Sequence, residues 1–110
     1  MNAQKLKQQS RVKWRKIAED LRLPNPQLAP SLGRDDCGYC EIYSRWDCSG
    51  CALYSRELCR NGSGDAYEAV RRLYVLNQNC WLEDALAGAE AILKAIEQDI
   101  AADERKEASA

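Results

Sequence analysis

Apolar residues near the start of the chain recur at the spacing of an α-helix. At intervals of three and four residues, one helical face would contain the polar Ser10 and the apolar Trp14, Ile17, Ala18 and Leu21. This pattern predicts an amphipathic helix over 10–22, with Ser10 as a candidate N-cap. Three prolines follow within a few residues, so the helix is expected to end near Leu23. We therefore predict a basic amphipathic helix within 1–23 and a Pro-rich linker over 24–34.

A second amphipathic pattern follows the turn RNGSGD at residues 60–65. Asp65 is a suitable N-cap for a helix of about 66–78. The apolar face of that helix would comprise Ala66, Ala69, Val70, Leu73 and Leu76. The polar run over 77–79 is expected to interrupt the helix.

A longer helix is predicted to start near Trp81. Its apolar residues alternate at intervals of four and three: Leu82, Leu86, Ala89, Leu93, Ile96 and Ile100. Nearly three heptads of this a/d pattern are typical of a helix that buries one narrow seam. The seam either packs within its own domain, which we favour, or joins two copies of the chain. The oligomeric state is therefore open between a monomer and a dimer through the 82–100 helix.

The charge of this 110-residue chain is nearly balanced, at −1, but unevenly distributed. Residues 1–22 carry seven Lys or Arg against two acids, a local net of +5. Residues 83–107 carry eight acids against three bases, a local net of −5. A basic arm of this kind can bind a polyanion. Alternatively, the two segments pack against each other in one small fold, which is the interpretation we favour.

The N-terminal residues contain no apolar run of signal-peptide length, and no stretch is long enough to span a membrane. The sequence therefore predicts a cytoplasmic protein, in which thiols stay reduced. Six cysteines in a reducing compartment favour metal binding over disulfide bonds. Three disulfides would be the competing arrangement in an exported chain.

Five of the six cysteines lie within 37–59, where one short pattern occurs twice. CGYCEIYSR at 37–45 aligns with CSGCALYSR at 48–56, at an offset of 11 residues. Each C-x2-C pair contains a glycine and lets two thiolates converge on one cation. Two such pairs form the four-sulfur shell that Zn²⁺ favours, and a chain without His must supply sulfur ligands. The candidate zinc ligands are four of the five residues Cys37, Cys40, Cys48, Cys51 and Cys59.

The fifth cysteine leaves the ligand set open. Cys59 follows Cys48 by 11 residues, so the two compete for the fourth position. Cys80 stands alone beside Trp81 and is predicted to be a small buried apolar residue. A thioredoxin-like redox pair would need a βαβ setting, and a [4Fe–4S] cluster usually has a closer run of cysteines. Both alternatives are therefore disfavoured.

The cysteine segment resembles that of a group of small, largely uncharacterised, cysteine-rich proteins from bacteriophages and prophages. Their zinc-finger-like pattern is C-x2-C, a short spacer, C-x-G-C-P, a variable loop and a further C before helices. The matching cysteines here are Cys37, Cys40, Cys48, Cys51 and Cys59. Ala52 replaces the usual proline. The resemblance spans roughly 37–100 and implies a structural zinc, Cys59 as a candidate ligand, and a bacterial host cytosol.

These patterns together predict a mostly α fold: a small helical domain built around a cysteine-rich zinc knuckle, with no extensive sheet. The predicted organisation is a helix in 1–23, a linker in 24–34, a zinc knuckle in 35–60, a helical hairpin in 61–103 and a polar tail in 104–110. No candidate active site is evident. Without His the chain lacks the commonest general base, and GSG at 62–64 is too short for a phosphate loop.

The sequence therefore favours a non-enzymatic binding protein with one structural zinc ion. If it is encoded by a phage, its partner would be a host or phage protein that it inhibits or recruits. Aromatic and Arg side chains are enriched at binding hot spots. On that basis the candidate partner-binding residues are Tyr39, Tyr43, Arg45, Trp46, Tyr54 and Arg56.

The alternative is a zinc-finger regulator that binds nucleic acid through its basic N-terminal helix. Its phosphate contacts would come from Lys5, Lys7, Arg11, Lys13, Arg15 and Lys16. The slightly negative net charge and the acidic final helix argue against this function. If the basic helix packs on the acidic one, Trp14 and Ile17 are expected to anchor it. The charges would then only screen each other.

Overall fold

Three α-helices make up most of the part of the chain that the computed structural model describes, which is residues 3–28, 58, 65–76 and 78–109. The helices are α1 (Ala3–Leu21), α2 (Asp65–Tyr74) and α3 (Leu82–Ser109). A 3₁₀ turn, Asn79–Trp81, joins α2 to α3. Both α1 and α2 pack on α3. No strand occurs in the described residues, which confirms the mostly α class for that part of the chain.

Helix α1 begins at Ala3, well before the predicted N-cap, so the assignment of Ser10 as a cap is wrong. Ser10 lies in the interior of the helix and is buried. The buried stripe extends back to Leu6, and this longer apolar contact accounts for the additional turns. The predicted face is otherwise correct, since Trp14 and Ile17 are fully buried.

Helix α2 begins at Asp65, the predicted N-cap and one residue before the predicted start, and ends at Tyr74, before the expected boundary at 78. After the last turn of the helix, the amide of Gln78 donates to the carbonyl of Arg72 at 3.1 Å. This hydrogen bond accompanies the turn of the chain out of the helix. Leu76, predicted to face the core, is therefore 47% exposed.

Helix α3 starts at Leu82, close to the predicted start near Trp81, but only the Ala89, Ile96 and Ile100 half of the predicted seam is fully buried. Its fully buried residues are Ala85, Ala89, Ile92, Ala95, Ile96 and Ile100. Leu82, Leu86 and Leu93 are only partly buried at the margin of the core. The buried stripe is wider than one a/d seam because α3 packs against two helices rather than one. The helix also continues to Ser109, where a frayed polar tail was expected.

The chain contains no Phe, and the aromatic contact in the core joins Trp14 of α1 to Tyr67 of α2. The rings of Trp14 and Tyr67 meet at a centroid distance of 5.8 Å and an interplanar angle of 59°. That tilted geometry is a favourable aromatic arrangement. Leu58 is partly buried and packs against the same core. Within the described ranges, no helix has both the length and the apolar composition needed to cross a membrane.

Candidate functional site

The five clustered cysteines and the aromatic and Arg residues between them lie outside the described residues. This applies to the candidate zinc ligands Cys37, Cys40, Cys48, Cys51 and Cys59. It also applies to the candidate partner contacts Tyr39, Tyr43, Arg45, Trp46, Tyr54 and Arg56. In the part that the structure does describe, no group of three or more Cys, His, Asp or Glu residues is placed to hold a metal ion. The zinc site is therefore still a prediction, and its thiol-only donor set is chemically suited to Zn²⁺.

The chain is held in place shortly before it enters the cysteine segment. The Asp20 carboxylate accepts hydrogen bonds from the backbone amides of Gln27 and Leu28, both at 3.1 Å. The Tyr74 hydroxyl donates to the same carboxylate at 2.6 Å. We call this arrangement the Asp20 clamp. It ties the start of the Pro-rich linker to the last turns of α1 and α2.

Ionisation within the Asp20 clamp reflects these contacts. Partial burial by itself raises the pKa of Asp20, but the hydrogen bonds from Tyr74 and the two amides outweigh it and hold the pKa below its ordinary value. Burial and the bond to Asp20 raise the pKa of Tyr74. Next to the last clustered cysteine, Leu58 packs on the core, and α2 starts after the cysteines at Asp65. The helices therefore fix the chain on both sides of the cysteine segment.

Lys7 of the basic helix forms buried ion pairs with two aspartates of α3. Its side chain is only 6% exposed, and its Nζ lies 2.9 Å from Asp99 Oδ2 and 2.6 Å from Asp103 Oδ2. Gln4 Nε2 donates to Asp103 at 2.9 Å. The hydrogen bond from Lys7 lowers the pKa of Asp103, and the charge of Lys7 and the Gln4 bond add to this effect against the opposing effect of burial. Lys7 is therefore not placed to contact a phosphate backbone.

The other bases of α1, and Arg22 directly after it, are less buried than Lys7. Arg15 Nη2 lies 3.6 Å from Glu97 Oε2, and both side chains are about half exposed. Arg22 approaches Glu90 at 4.0 Å. Lys5 and Lys16 are exposed, whereas Arg11 and Lys13 are partly buried. Exposed pairs contribute about 0–1 kcal/mol each.

The predicted packing of the basic helix on the acidic helix is confirmed, with Trp14 and Ile17 buried as its anchors. The expectation that its charges only screen each other is wrong for Lys7. The reason is that Leu6 and Lys7 belong to the additional N-terminal turns of α1, which bring Lys7 against α3.

Cys80 is exposed, contrary to the prediction that it is buried. It lies in the 3₁₀ turn between α2 and α3, while the next residue, Trp81, packs partly against the core. The sequence context did not distinguish which of these two neighbours faces inward. As an exposed residue, Cys80 makes no contribution to core packing.

A groove between α2 and α3 was not found by sequence reasoning. It has a volume of about 580 Å³ and is lined by Ala66, Glu68, Ala69, Arg72, Trp81, Asp84, Ala87, Gly88 and Ala91. We call it the α2–α3 groove. The guanidinium of Arg72 lies 4.6 Å from the centroid of the Trp81 ring. A signal in the sequence that could have indicated the groove is the run of small residues around Gly88.

Glu68 organises the charged side of the α2–α3 groove. Its carboxylate accepts hydrogen bonds from Arg71 at 3.1 and 3.2 Å and from Arg72 at 3.3 Å. The bond from Arg71 is the main cause that lowers the pKa of Glu68, against the opposing effect of burial, and Arg72 contributes further. Glu68 therefore stays ionised and holds the Arg72 side chain beside Trp81.

Comparison with known proteins gives no match: no family model, curated protein or solved structure is significantly similar to this chain.

Proposed function

We propose that this chain is a non-enzymatic binding protein, stabilised by one structural zinc ion, that acts by occupying the surface of a partner protein. The observation that carries the choice of a protein partner is the burial of Lys7 between Asp99 and Asp103. A phosphate-binding arm needs its bases free at the surface. The acidic helix α3 instead takes up part of the charge of α1.

The zinc ion is proposed from the paired C-x2-C spacing and from the absence of His. The helical domain supports this assignment because it holds the chain at the Asp20 clamp before the cysteines and at Leu58 and Asp65 near their end. A closed four-thiolate site would order the intervening residues, and metal binding would contribute directly to folding. Aromatic and Arg side chains around the metal, such as Tyr39 and Trp46, would then contact the partner.

The resemblance to small phage and prophage proteins extends the proposal to a bacterial cytoplasm and to a host or phage protein as the partner. An inhibitor or adaptor of this kind needs no catalytic group. The described residues are consistent with this role, since they offer a helical scaffold with ion pairs and a surface groove.

The proposal is tested by affinity capture from the host cytosol with the tagged full chain. We expect one partner protein to be retained by the wild type and by Val12→Ala, a change at an exposed position of α1. The double variant Tyr39→Ala/Trp46→Ala should lose the partner while its circular dichroism and zinc content are unchanged. Equal capture by all three proteins would refute the assignment of these contacts.

The nucleic-acid alternative is tested separately with labelled duplex DNA and RNA. Because Lys7 is buried, the variant used is Lys5→Gln/Arg15→Gln/Lys16→Gln, which leaves the ion pairs of Lys7 intact. Binding through these bases would weaken with salt by a slope of roughly −0.9 per phosphate contact on duplex DNA. Submicromolar binding by the wild type that is lost in this variant would replace the protein-binding function by its alternative.

A further inference from the structure

Among the described residues, the α2–α3 groove is lined by α2, the 3₁₀ turn and α3, and by no residue of α1. Its floor is fixed by the close crossing of the two helices. A Cβ at Gly88 would lie 2.5 Å from the carbonyl oxygen of Ala66, so the two backbones are already at their minimum separation. Ala69 and Ala87 beside this crossing are too small to fill the space above it. The result is a concave apolar floor between the two helices.

One wall of the groove is preorganised for recognition. The Trp81 ring is partly buried and lies 4.6 Å beneath the Arg72 guanidinium, and Arg72 is held in turn by Glu68 at 3.3 Å. A Trp and an Arg that are already oriented lose little rotamer freedom when a ligand binds. These two residue types are also the ones enriched at protein-binding hot spots.

The charge of the groove selects the sign of its ligand. Glu68 is matched by Arg71 and Arg72, so these three side chains already satisfy one another. Asp84, which lines the same groove from the first turn of α3, is exposed and makes no ion pair with any residue in the described ranges. The next acid along the helix, Glu83, is also exposed. A carboxylate that has no ion pair among the described residues and lies at the edge of an apolar floor favours a ligand that combines small aliphatic groups with a cation.

We propose that the α2–α3 groove binds a helix of a partner protein, which places small aliphatic side chains on the Ala66–Gly88 floor and a Lys or Arg against Asp84. A helix is the occupant because the walls are two helices, and a further helix laid between them completes a four-helix arrangement with α1. The inference rests on the proposed protein-binding function, but it is independent of the zinc site.

The test is an NMR titration of the isotopically labelled full chain with an alanine-rich helical peptide that carries Lys at every fifth position. The matched peptide carries Glu at the same positions. We expect the Lys peptide to shift the Trp81 indole N–H and the amides of Ala87 and Ala91, and the Glu peptide to leave them unchanged. Asp84→Asn should weaken the Lys peptide by roughly two- to fivefold, the effect of losing one exposed charge contact.

Two further variants separate groove binding from general attraction to the acidic surface. Glu83→Gln removes an exposed neighbouring acid that does not line the groove and should not change the affinity. Ala87→Arg fills the groove from an exposed helical position, so it should abolish binding while the unfolding midpoint stays close to that of the wild type. Equal affinity for the Lys and Glu peptides, or equal losses from Asp84→Asn and Glu83→Gln, would overturn the proposal.

Failure of this inference is distinguishable from failure of the proposed function. A cytosolic partner that is captured equally by the wild type and by Ala87→Arg leaves the protein-binding function standing and removes the groove from it. Self-association that rises with concentration and disappears in Ala87→Arg would assign the groove to a second copy of this chain, which also overturns the proposal.

Discussion

Lys7 is a charged side chain whose role is determined by its burial. Its ammonium group bridges Asp99 and Asp103, whose side chains remain 18% and 24% exposed. Removal of the cation from a buried pair leaves the carboxylates uncompensated, although these two keep some contact with water. We expect Lys7→Met to lower the free energy of unfolding by about 1–3 kcal/mol. Urea denaturation measures this value.

The matched control for this substitution is Lys5→Met, at an exposed position of the same helix. It should change the free energy of unfolding by no more than about 0.5 kcal/mol. Similar denaturation midpoints for the two variants would contradict the role assigned to the Lys7 ion pairs.

Asp103 should make the stability of the protein sensitive to acid. Lys7 lowers its folded-state pKa below the ordinary value of 3.8, so the unfolded chain takes up the proton first as the pH falls. The stabilisation is therefore complete above roughly pH 5 and is lost as the pH falls through the folded-state pKa. In Asp103→Asn the free energy of unfolding should be lower at pH 7 and should decline less steeply below pH 4. An unchanged acid slope in this variant would refute the linkage.

At the scale of the elements, the crossing of α2 and α3 depends on the absence of a side chain at Gly88. Alanine is the better helix former by about 1 kcal/mol, so Gly88→Ala would stabilise an isolated helix. In the folded protein its Cβ would lie within 3.0 Å of three backbone atoms of Ala66, which cannot move without displacing α2. We therefore expect a net destabilisation of about 1–3 kcal/mol by thermal or urea unfolding.

A control for the helix-propensity part of this effect is Ala87→Gly, at the exposed position directly before Gly88. It should cost about 1 kcal/mol by propensity alone. If Gly88→Ala proves more stable than the wild type, the close contact between the two helices does not exist in solution.

Helical periodicity located the three helices, but tertiary contacts determined their ends and their buried faces. The pattern of Trp14 and Ile17 was sufficient to predict the face of α1. It did not predict the start at Ala3, because a charged Lys7 is not expected on a buried helix face. Its burial becomes favourable only when folding brings Asp99 and Asp103 beside it. Likewise, Ile96 of the predicted a/d seam is buried, but packing against two helices buries Ile92 in addition and leaves Leu93 at the margin of the core.

At the scale of the whole molecule, the opposite charges of the two termini are brought together by the antiparallel packing of α1 on α3. Successive contacts run from Lys7 with Asp103 through Arg15 with Glu97 to Arg22 with Glu90. The local net charges of the sequence predicted this pairing. The α2–α3 groove could not be predicted in the same way, since it arises from the geometry of a helix crossing and from small residues that carry no periodic signal.

The final prediction concerns the coupling of metal to folding. We expect the purified chain to contain about one zinc ion, held by four of its clustered thiols. Cys40→Ser removes a proposed ligand from the first pair and should lose the zinc and lower the unfolding midpoint sharply, because metal-binding free energy contributes to folding. Cys80→Ser is the matched control. Because Cys80 is exposed, this change should retain the zinc and alter stability by no more than about 0.5 kcal/mol.

Elemental analysis and thermal unfolding of the three proteins, with and without a chelator, measure both effects. The chelator should lower the midpoint of the wild type and of Cys80→Ser by the same amount and should leave Cys40→Ser unchanged. Visible absorption would reveal an iron–sulfur cluster in place of zinc. If the wild type contains neither metal, or if the two Ser variants have equal and mild effects, then Cys40 is not a ligand and the segment requires another means of stabilisation.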